Sequence, residues 1–330
     1  MNWTGTKVLV TGAGGFIGSH LAEALLTAGA EVTAMIRYTS RGDWGNLERL
    51  PSDRKGSLRV LAGNIEDSDF VDRAVAGHAV VFHLAALIGI PYSYTAPRSY
   101  IRTNVEGTLN ILEAARRHGV RRVIHTSTSE VYGSARFTPM TEDHPLQAQS
   151  PYAAGKIGAD QLARSYHLSF NLPVSILRPF NTYGPRQSAR AVIPTIISQA
   201  LSGERVRVGS LTPVRDLLFV EDTVQGFLRM AESEEAVGET VHIGTGRGTS
   251  IGDLARTLLT QMGKGQVEMV QEESRKRPEE SEVTRLICDA SRARNLIGWR
   301  PNVPLEEGLR RTIEFVSNHL DLYRPTEYAL

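Results

Sequence analysis

Residues 7–18 read KVLVTGAGGFIG, and this stretch decides the fold. Residues 7–11 form the apolar run of a buried strand, and residues 16–28 have the spacing of a helix that ends at Gly29. Glycines between them allow a tight turn close to a pyrophosphate, while the helix start offers free N–H groups and a positive dipole end. A purely structural turn is the alternative, but the strand–loop–helix context favours a dinucleotide-binding loop. Its predicted contacts are Gly12, Gly14, Gly15, Phe16, Ile17 and Gly18.

Short apolar strands and longer helices continue to alternate after this loop. Further strands are predicted over residues 31–36, 58–62, 79–83, 122–126 and 174–177, and long helices over 96–118 and 151–170. Strands separated in this way run parallel through right-handed crossovers, and near-continuous apolar strands fit a sheet covered on both faces. The prediction is an α/β fold with a doubly wound parallel Rossmann sheet in residues 1–179. A smaller substrate-binding lobe is expected in 180–330, with some segments returning to the sheet.

The bulk composition excludes several classes of partner. The 330 residues carry a formal net charge of +1, which suggests neither nucleic acid nor an anionic membrane as a partner. No apolar run reaches the roughly 18 residues of a membrane span, and the N-terminus lacks the pattern of a signal peptide. The single cysteine, Cys288, excludes an intramolecular disulfide and fits a reducing compartment. We expect a cytoplasmic protein without a metal site.

Residues that follow the next strands are the other candidates for cofactor contacts. An acid at the end of the second strand favours NAD, whereas an arginine tolerates the 2′-phosphate of NADP. Arg37 stands there, which favours NADP, although stacking on adenine and a subunit contact are alternative roles. The remaining candidates are Asn64 and Ile65 after the third strand, and Leu84, Ala85 and Ala86 after the fourth. His83 is expected to be packed at its strand end rather than catalytic.

A tyrosine and a lysine have the spacing of an acid–base pair. Tyr152 and Lys156 are four residues apart and share one face of a helix. Free tyrosine has a pKa of about 10, and a neighbouring ammonium with a positive nicotinamide ring would lower that pKa toward the working range. The preceding run TSTSEVYG at residues 126–133 contains Thr128 and Ser129, which can hydrogen-bond an alcohol, and Glu130, which can act as a second base. Alone, this run would be read as an ordinary hydroxyl-rich loop.

Together these motifs resemble the extended short-chain dehydrogenase/reductase family in its nucleotide-sugar branch. The resemblance covers nearly the whole chain: TGAGGFIG at 11–18, HLAA at 83–86, TNVEGT around Asn104, TSTSEVYG at 126–133, YAAGK at 152–156 and RPFNTYGPR at 178–186. It implies that Tyr152 is the acid/base at the sugar C4 hydroxyl, that Lys156 holds the nicotinamide ribose, and that Thr128 bonds the C4 oxygen. It also implies that Asn104 belongs to the cofactor site and that the cofactor is retained through turnover.

The same resemblance implies a nucleotide-diphosphate sugar as substrate. The residues expected to face it are Asn181, Arg186, Arg190, Val192 and Arg215. Arg277 lies in a charged run that reads first as a solvated loop, but it can also reach a ligand phosphate. Relatives usually form homodimers through the helices equivalent to 96–118 and 151–170, so a homodimer is expected. Apolar residues of these helices serve either the core or that contact: Leu109, Leu112, Leu162 and Tyr166.

Members of this branch oxidise C4 to a ketone and then diverge. A 4,6-dehydratase needs a base beside C5, whereas a simple epimerase needs none. The triplet Thr128-Ser129-Glu130 resembles that of 4,6-dehydratases in which the glutamate is this base. Many have aspartate where Ser129 stands, so the acid for the leaving hydroxyl would be Ser129, water or Glu130.

The wider pattern narrows the predicted reaction and substrate. The stretches IPYSYTAP at 90–97 and NTYGPRQSARAVIPTII at 181–197 most resemble N-acetylglucosamine 4,6-dehydratases, which indicates UDP- or GDP-N-acetylglucosamine. The alternatives, in descending order, are a UDP-glucuronate decarboxylase or desaturating variant, a 4-epimerase and a non-catalytic dinucleotide-binding sensor.

Overall fold

Strands and helices alternate along the chain in a computed structural model that describes residues 2–325. Numbered along the chain, the strands are β1 (Lys7–Thr11), β2 (Glu31–Arg37), β3 (Arg59–Gly63), β4 (Val80–His83), β5 (Arg122–Thr126), β6 (Val174–Pro179), β7 (Asn181–Tyr183), β8 (Arg205–Val208), β9 (Val214–Phe219), β10 (Thr240–Ile243), β11 (Gly248–Ser250), β12 (Glu268–Gln271) and β13 (Arg285–Leu286). The α-helices are α1 (Phe16–Thr27), α2 (Ser52–Lys55), α3 (Ser68–Val75), α4 (Ile90–Thr95), α5 (Pro97–Tyr100), α6 (Gly107–Arg117), α7 (Pro151–Phe170), α8 (Val192–Ser202), α9 (Val220–Glu232), α10 (Ile251–Gln261), α11 (Ser291–Ile297) and α12 (Leu305–Asn318).

Seven parallel strands form the main sheet in the order β10-β6-β5-β4-β1-β2-β3. Side chains of a strand alternate between the two faces of a sheet. Val8 and Val10 accordingly pack in a core that includes α1 and α9, whereas Leu9 packs in a core that includes α3, α6 and α7. Because both faces are covered, the strands are apolar on both sides, and the predicted doubly wound Rossmann fold is confirmed.

The segments that leave the main sheet after β6 build a smaller layer around a second sheet. In this sheet β9 pairs in parallel with β7 and β13 and antiparallel with β11, while β8 and β12 form a separate parallel pair. Helices α8, α10 and α12 pack together with this layer around their own apolar core. The chain then returns to the main sheet, because β10 pairs with β6.

The helix predicted over residues 96–118 is three consecutive segments in the structure. Helix α5 leads into a π-helical stretch, Ile101–Glu106, which continues into α6. Asn104 lies in the π-helical stretch, and its side-chain amide pairs with both the N–H and the C=O of Leu87, at 2.8 and 2.9 Å. The irregular helix thereby holds the loop that follows β4. Among residues 2–325, no helix combines the length and apolar character that a bilayer crossing requires.

Candidate active site

A cavity of about 800 Å³ opens at the carboxyl ends of the main-sheet strands. The loops after β1, β2, β4, β5 and β6 form one side, and residues 187–217 and 275–282 contribute the other. Ligands of open α/β sheets bind at this end of the strands. The cavity therefore brings most of the predicted cofactor and substrate residues to one place.

The glycine loop after β1 has the shape of a dinucleotide cradle. Gly12 adopts a left-handed φ of +68°, and a Cβ there would lie 2.8 Å from the backbone nitrogen of Ala85. A Cβ on Gly18 would lie only 2.3 Å from the carbonyl oxygen of Gly12. Gly15 caps helix α1 without a side-chain hydrogen bond, so the first N–H groups of the helix have no capping side chain. Backbone packing this close, beside an uncapped helix start, suits a pyrophosphate, and a nicotinamide dinucleotide fits these residues.

The loop after β4 is fixed against the glycine loop by buried polar contacts. The hydroxyl oxygen of Thr11 accepts the N–H groups of Leu84 and Ala85, each at 3.1 Å. The buried ring of His83 bonds the hydroxyls of Thr11 at 2.9 Å and Thr108 at 3.0 Å. His83 is thus a packed strand-end residue. Ala85 and Ala86 line the cavity beside the glycine loop.

Several cavity residues on the side of Arg37 do not follow from the sequence, among them Asp43 and Trp44. Asp43 and Trp44 line the cavity there, together with the exposed Arg37. Asp43 pairs with Arg41 at 3.3 Å. Gly45 lies against the cofactor loop, because its φ is +63° and a Cβ there would lie 2.6 Å from the oxygen of Gly14. Asp43 lies in a loop six residues beyond the end of β2. No local sequence pattern there marks an acidic residue as part of the site.

The tyrosine and lysine lie on the first turns of α7 and face the cavity floor. Pro151 opens this helix, and Ser150 caps it by accepting the N–H of Ala153 at 3.1 Å. The phenol of Tyr152 is hydrogen-bonded to Thr128, and its ring meets Tyr100 edge-on with centroids 6.2 Å apart. The ammonium of Lys156 donates to the carbonyl oxygen of Thr126. The predicted juxtaposition of Tyr152, Lys156 and Thr128 is present.

The surroundings of Tyr152 within the protein favour the neutral phenol. Burial raises the pKa of Tyr152 well above its ordinary value, and the bond to Thr128 only partly offsets this. Burial also lowers the pKa of Lys156 to about 8, because a buried ammonium is poorly solvated. The ammonium bonds a carbonyl rather than the phenol, so it does not by itself make Tyr152 a base. The contribution of a nicotinamide ring stays a prediction.

Glu130 lies in a cluster of four charged groups on the cavity wall. A 3-10 turn, Ser129–Tyr132, follows Thr128 and carries Glu130 inward, leaving it 8% exposed. Its carboxylate is 3.5 Å from Arg277, which in turn lies 4.0 Å from Glu282. Glu282 also pairs with the buried Arg215 at 3.5 Å. Arg215 and Arg277, whose guanidinium groups suit a diphosphate, therefore lie in the same cluster as Glu130.

Three further predicted substrate residues line the same cavity: Asn181, Arg190 and Val192. The side-chain oxygen of Asn181 is buried without a hydrogen-bond partner in the described chain, as expected of a group that bonds a ligand. Arg190 packs so close to Gly89 that a Cβ there would meet its guanidinium at 2.6 Å. No carboxylate of residues 2–325 forms an ion pair with Arg190. Both side chains are free to contact a bound sugar nucleotide.

Four predicted contact residues lie outside the cavity lining: Asn64, Ile65, Asn104 and Arg186. The amide oxygen of Asn64 accepts the N–H of Glu66 at 3.1 Å, and Ile65 is buried in the core near Gly107. Arg186 turns toward α1 and pairs with Glu23 at 2.7 Å. Its backbone is left-handed, with φ of +68°. Arg186 therefore connects the segment after β7 to α1, and its contact with the substrate diphosphate stays a prediction.

This arrangement defines a nicotinamide-dinucleotide site of the extended short-chain dehydrogenase/reductase class. Residues 9–312 match the family model described as GDP-mannose 4,6 dehydratase, and the chain belongs to this family.

Its relatives include both dehydratases and epimerases. The chain is 37% identical over 327 residues to a dTDP-glucose 4,6-dehydratase of Streptomyces griseus, covering 97% of each protein. It is 36% identical over 319 residues to a UDP-glucose 4-epimerase of Mycolicibacterium smegmatis, covering 94% of this chain and 99% of the relative. The solved structure of the dTDP-glucose 4,6-dehydratase DesIV from Streptomyces venezuelae, with NAD bound, superposes with a TM-score of 0.89 at 32% identity, covering 97% and 99% of the two chains.

Proposed function

We propose that the protein is a nucleotide-sugar 4,6-dehydratase. The observation that carries this proposal is the position of Glu130 on the same cavity wall as Thr128 and Tyr152. An epimerase needs acid–base chemistry only at C4, where Tyr152 lies. The buried carboxylate of Glu130 would therefore have no catalytic task in an epimerase. A dehydratase needs such a group to take the proton from C5.

The residues divide the reaction among them. Tyr152 takes the proton of the C4 hydroxyl, whose oxygen Thr128 holds. When bound, the nicotinamide ring supplies the acceptor for the hydride of C4 and its donor at C6. Glu130 removes the C5 proton, which the C4 ketone makes acidic, and the C6 hydroxyl leaves as water with a proton from Glu130, Ser129 or water. When hydride has been returned to C6, C5 takes up a proton from Glu130 or from solvent. The net change is the loss of one water molecule from the sugar.

Positive charge near Tyr152 is required for the first step. Burial alone raises the pKa of Tyr152, and the Arg190 guanidinium acts in the opposite direction. Lys156, one turn further along α7, holds the cofactor ribose and brings a second cation near the site. These groups favour phenolate when the site is loaded.

The arginines at the wall support a diphosphate-linked substrate. Arg215 and Arg277 lie beside Glu130, and the free amide oxygen of Asn181 faces the same cavity. Arginine is well suited to phosphate because its planar fork donates two parallel hydrogen bonds. We propose UDP- or GDP-N-acetylglucosamine as the substrate, on the sequence resemblance of residues 181–197.

Two residues of the same cavity wall have opposite effects on the choice between NAD and NADP. Arg37 supports NADP, because a guanidinium accommodates a 2′-phosphate. The carboxylate of Asp43 on the same wall opposes binding of the 2′-phosphate by charge repulsion. Titration of the protein with NAD and with NADP, followed by intrinsic fluorescence, measures which residue dominates.

A homodimer through α6 and α7 is the proposed assembly. Leu109 on α6 is 36% exposed, and Leu168 and Phe170 on α7 are 69% and 49% exposed. Leu112 and Tyr166, in contrast, are buried within the protomer. Light scattering in solution measures the mass of the assembly.

Product analysis in deuterated water tests the proposal. UDP- and GDP-N-acetylglucosamine, dTDP-glucose and UDP-glucuronate are supplied separately, and products are examined by mass spectrometry and NMR. A 6-deoxy-4-keto sugar with deuterium at C5 is expected from one of the first three donors. Inversion at C4 with unchanged mass would instead establish the epimerase that one relative suggests, and loss of CO2 from the glucuronate would establish a decarboxylase.

A further inference from the structure

A buried carboxylate that this reaction scheme leaves unused lies beneath the catalytic residues. Asp160 follows Lys156 by four residues and Tyr152 by eight on α7, so the three side chains fall on one face of the helix. Asp160 is 1% exposed. A charge buried to this degree is rare unless it is paired, so its partners show what it does.

Three side chains converge on the two oxygens of Asp160. His125 lies 3.2 Å from one oxygen, while Ser127 at 2.5 Å and Arg178 at 2.7 Å share the other. Arg178 also donates to the hydroxyl of Ser127 at 3.1 Å. One carboxylate therefore ties α7 to the end of β5, where His125 lies, and to β6, which carries Arg178.

This connection fixes the segment that holds the proposed reacting groups. Ser127 directly precedes Thr128, Ser129 and Glu130, and its backbone N–H donates to the oxygen of Leu177 on β6 at 2.8 Å. Its side chain is held by Asp160. The carbonyl of Thr126, one residue earlier, receives the ammonium of Lys156. Both ends of the Lys156–Asp160 turn thus contact the same strand end.

Asp160 is also a negative charge that acts on the ammonium of Lys156 in the buried floor. Other titratable or charged groups that face this floor from α7, β4, β5, β6, α5 and the turn after β5 are Tyr152, His83, His125, Arg178, Tyr100, Tyr132 and Glu130. Burial lowers the pKa of both His83 and His125, so these rings are neutral at working pH. Arg178 repels Lys156, and Asp160 attracts it.

We propose that Asp160 is a positioning residue for the proposed reaction: its buried carboxylate anchors the Thr128–Glu130 segment through Ser127 and balances the charge of Lys156, one helical turn away. The inference rests on the proposed function, since Lys156 matters through the cofactor ribose. Burial raises the pKa of the Asp160 carboxyl, but Arg178 outweighs this and holds that pKa far below its ordinary value. The carboxylate is therefore charged at every pH at which the protein works.

Asp160→Asn tests the charge, because it keeps the size of the side chain and an acceptor for Ser127. The variable is the pH at which binding of NAD weakens, measured by isothermal titration between pH 6 and 10. The pKa of Lys156 is about 8, and the ammonium is lost as pH rises through it. Removing the attraction of Asp160 lowers that pKa, so binding is expected to weaken about one pH unit earlier. The alkaline limb of the turnover profile should move with it, leaving roughly tenfold less relative activity at pH 9.

Two variants separate charge from structure. Ser127→Ala removes a contact of Asp160 but no charge, so turnover should fall while the alkaline limb stays in place. Asp222→Asn is the matched control, because Asp222 is also a buried carboxylate, which accepts the N–H groups of Asn302 and Val303 at 3.0 Å, and it lies outside the cavity lining. It should lower the melting temperature without moving the limb.

The outcomes are distinguishable from failure of the proposed function. The inference is overturned if NAD binding weakens at the same alkaline pH in wild type and in Asp160→Asn, whether or not any sugar is turned over. Where Asp160→Asn does not fold, Asp160→Glu replaces it: the charge is kept, so its limb should match wild type although turnover falls. The inference would also be overturned if NAD binding weakens at a lower pH in Asp160→Glu than in wild type.

Discussion

The phenol of Tyr152 and the carboxylate of Glu130 lie on the same cavity wall, but their surroundings differ. Tyr152 is enclosed by Tyr100 and bonded to Thr128, whereas Glu130 faces the cation Arg277. The phenol needs the positive charges of the loaded site before it can accept a proton. The two residues therefore serve different steps, and their variants should fail in different ways.

Tyr152→Phe removes the hydroxyl that accepts the C4 proton but keeps the buried ring. Turnover is expected to fall by roughly 10²–10⁴-fold, the usual contribution of a positioned acid–base group. Binding of the dinucleotide should persist, because the glycine loop and Lys156 are unchanged. Steady-state rates and NAD titration measure both effects, and a variant with undiminished turnover would remove Tyr152 from the mechanism.

Glu130→Gln should block elimination while C4 oxidation continues. The amide cannot take the C5 proton, so reduced cofactor is expected to accumulate on addition of the nucleotide sugar, visible as its characteristic absorbance. Formation of the 6-deoxy product should fall by about 10²-fold or more. Glu282→Gln is the matched control, because it also removes a carboxylate beside Arg277. The control should complete turnover, and full activity of Glu130→Gln would leave the dehydratase without its base.

At the scale of elements, the junction of β1 with α1 depends on two glycines that touch backbone. A Cβ on Gly18 would overlap the carbonyl oxygen of Gly12, which cannot rotate away as a side chain would. Gly18→Ala is expected to reduce NAD affinity at least tenfold and to destabilise the fold by about 1–3 kcal/mol. Titration and urea unfolding measure the two effects.

Gly252→Ala is the control for that substitution. Gly252 also lies in the first turn of a helix, α10, but its Cβ would meet ordinary contacts at 3.5 Å and beyond. Alanine there should be neutral or stabilise the protein by up to about 1 kcal/mol. Equal losses in both variants would show that helix propensity, rather than the approach to Gly12, decides the effect.

The same scale explains which parts of the molecule were predictable. Elements with a strong period, such as β1, β5 and α7, were predicted within a residue or two, because local burial patterns determine them. Tyr152, Thr128 and Glu130 follow from these elements and were brought together as expected. Asn64 and Arg186 lie outside the cavity lining, with Glu66 and Glu23 as their partners, and their predicted ligand contacts stay predictions. Asp43 and Asp160 were missed, since only tertiary packing brings them to the site.

For the whole molecule, buried histidines make stability depend on pH. Burial lowers the pKa of His20 to about 4 and that of His83, His125 and His242 below the ordinary value. Each is neutral when folded but takes a proton on unfolding below about pH 6.5. Their contribution to stability is thus complete above that pH and is lost as pH falls. Glu142, whose pKa burial raises, opposes this with a single proton.

The free energy of unfolding should therefore fall as pH drops below 6.5, with a slope that approaches about 1.4 kcal/mol per pH unit for each ring that stays neutral in the folded protein. Urea unfolding at pH 7.5, 6.5, 6.0 and 5.5 measures this slope. His20→Asn removes one titrating ring, so its slope should be smaller by one such increment. A stability that stays constant across this range would contradict the buried, neutral state of the rings.

The return of β10 to the main sheet has a consequence for dividing the chain. β6 is buried along its whole length, and β10 covers one of its edges. A fragment that stops at residue 179 would present that edge uncovered, and an apolar strand with unsatisfied N–H and C=O groups recruits other chains. The first 179 residues are thus poorly suited to independent expression. The strand that protects the edge of β6 from other chains is β10, which is synthesised some sixty residues later.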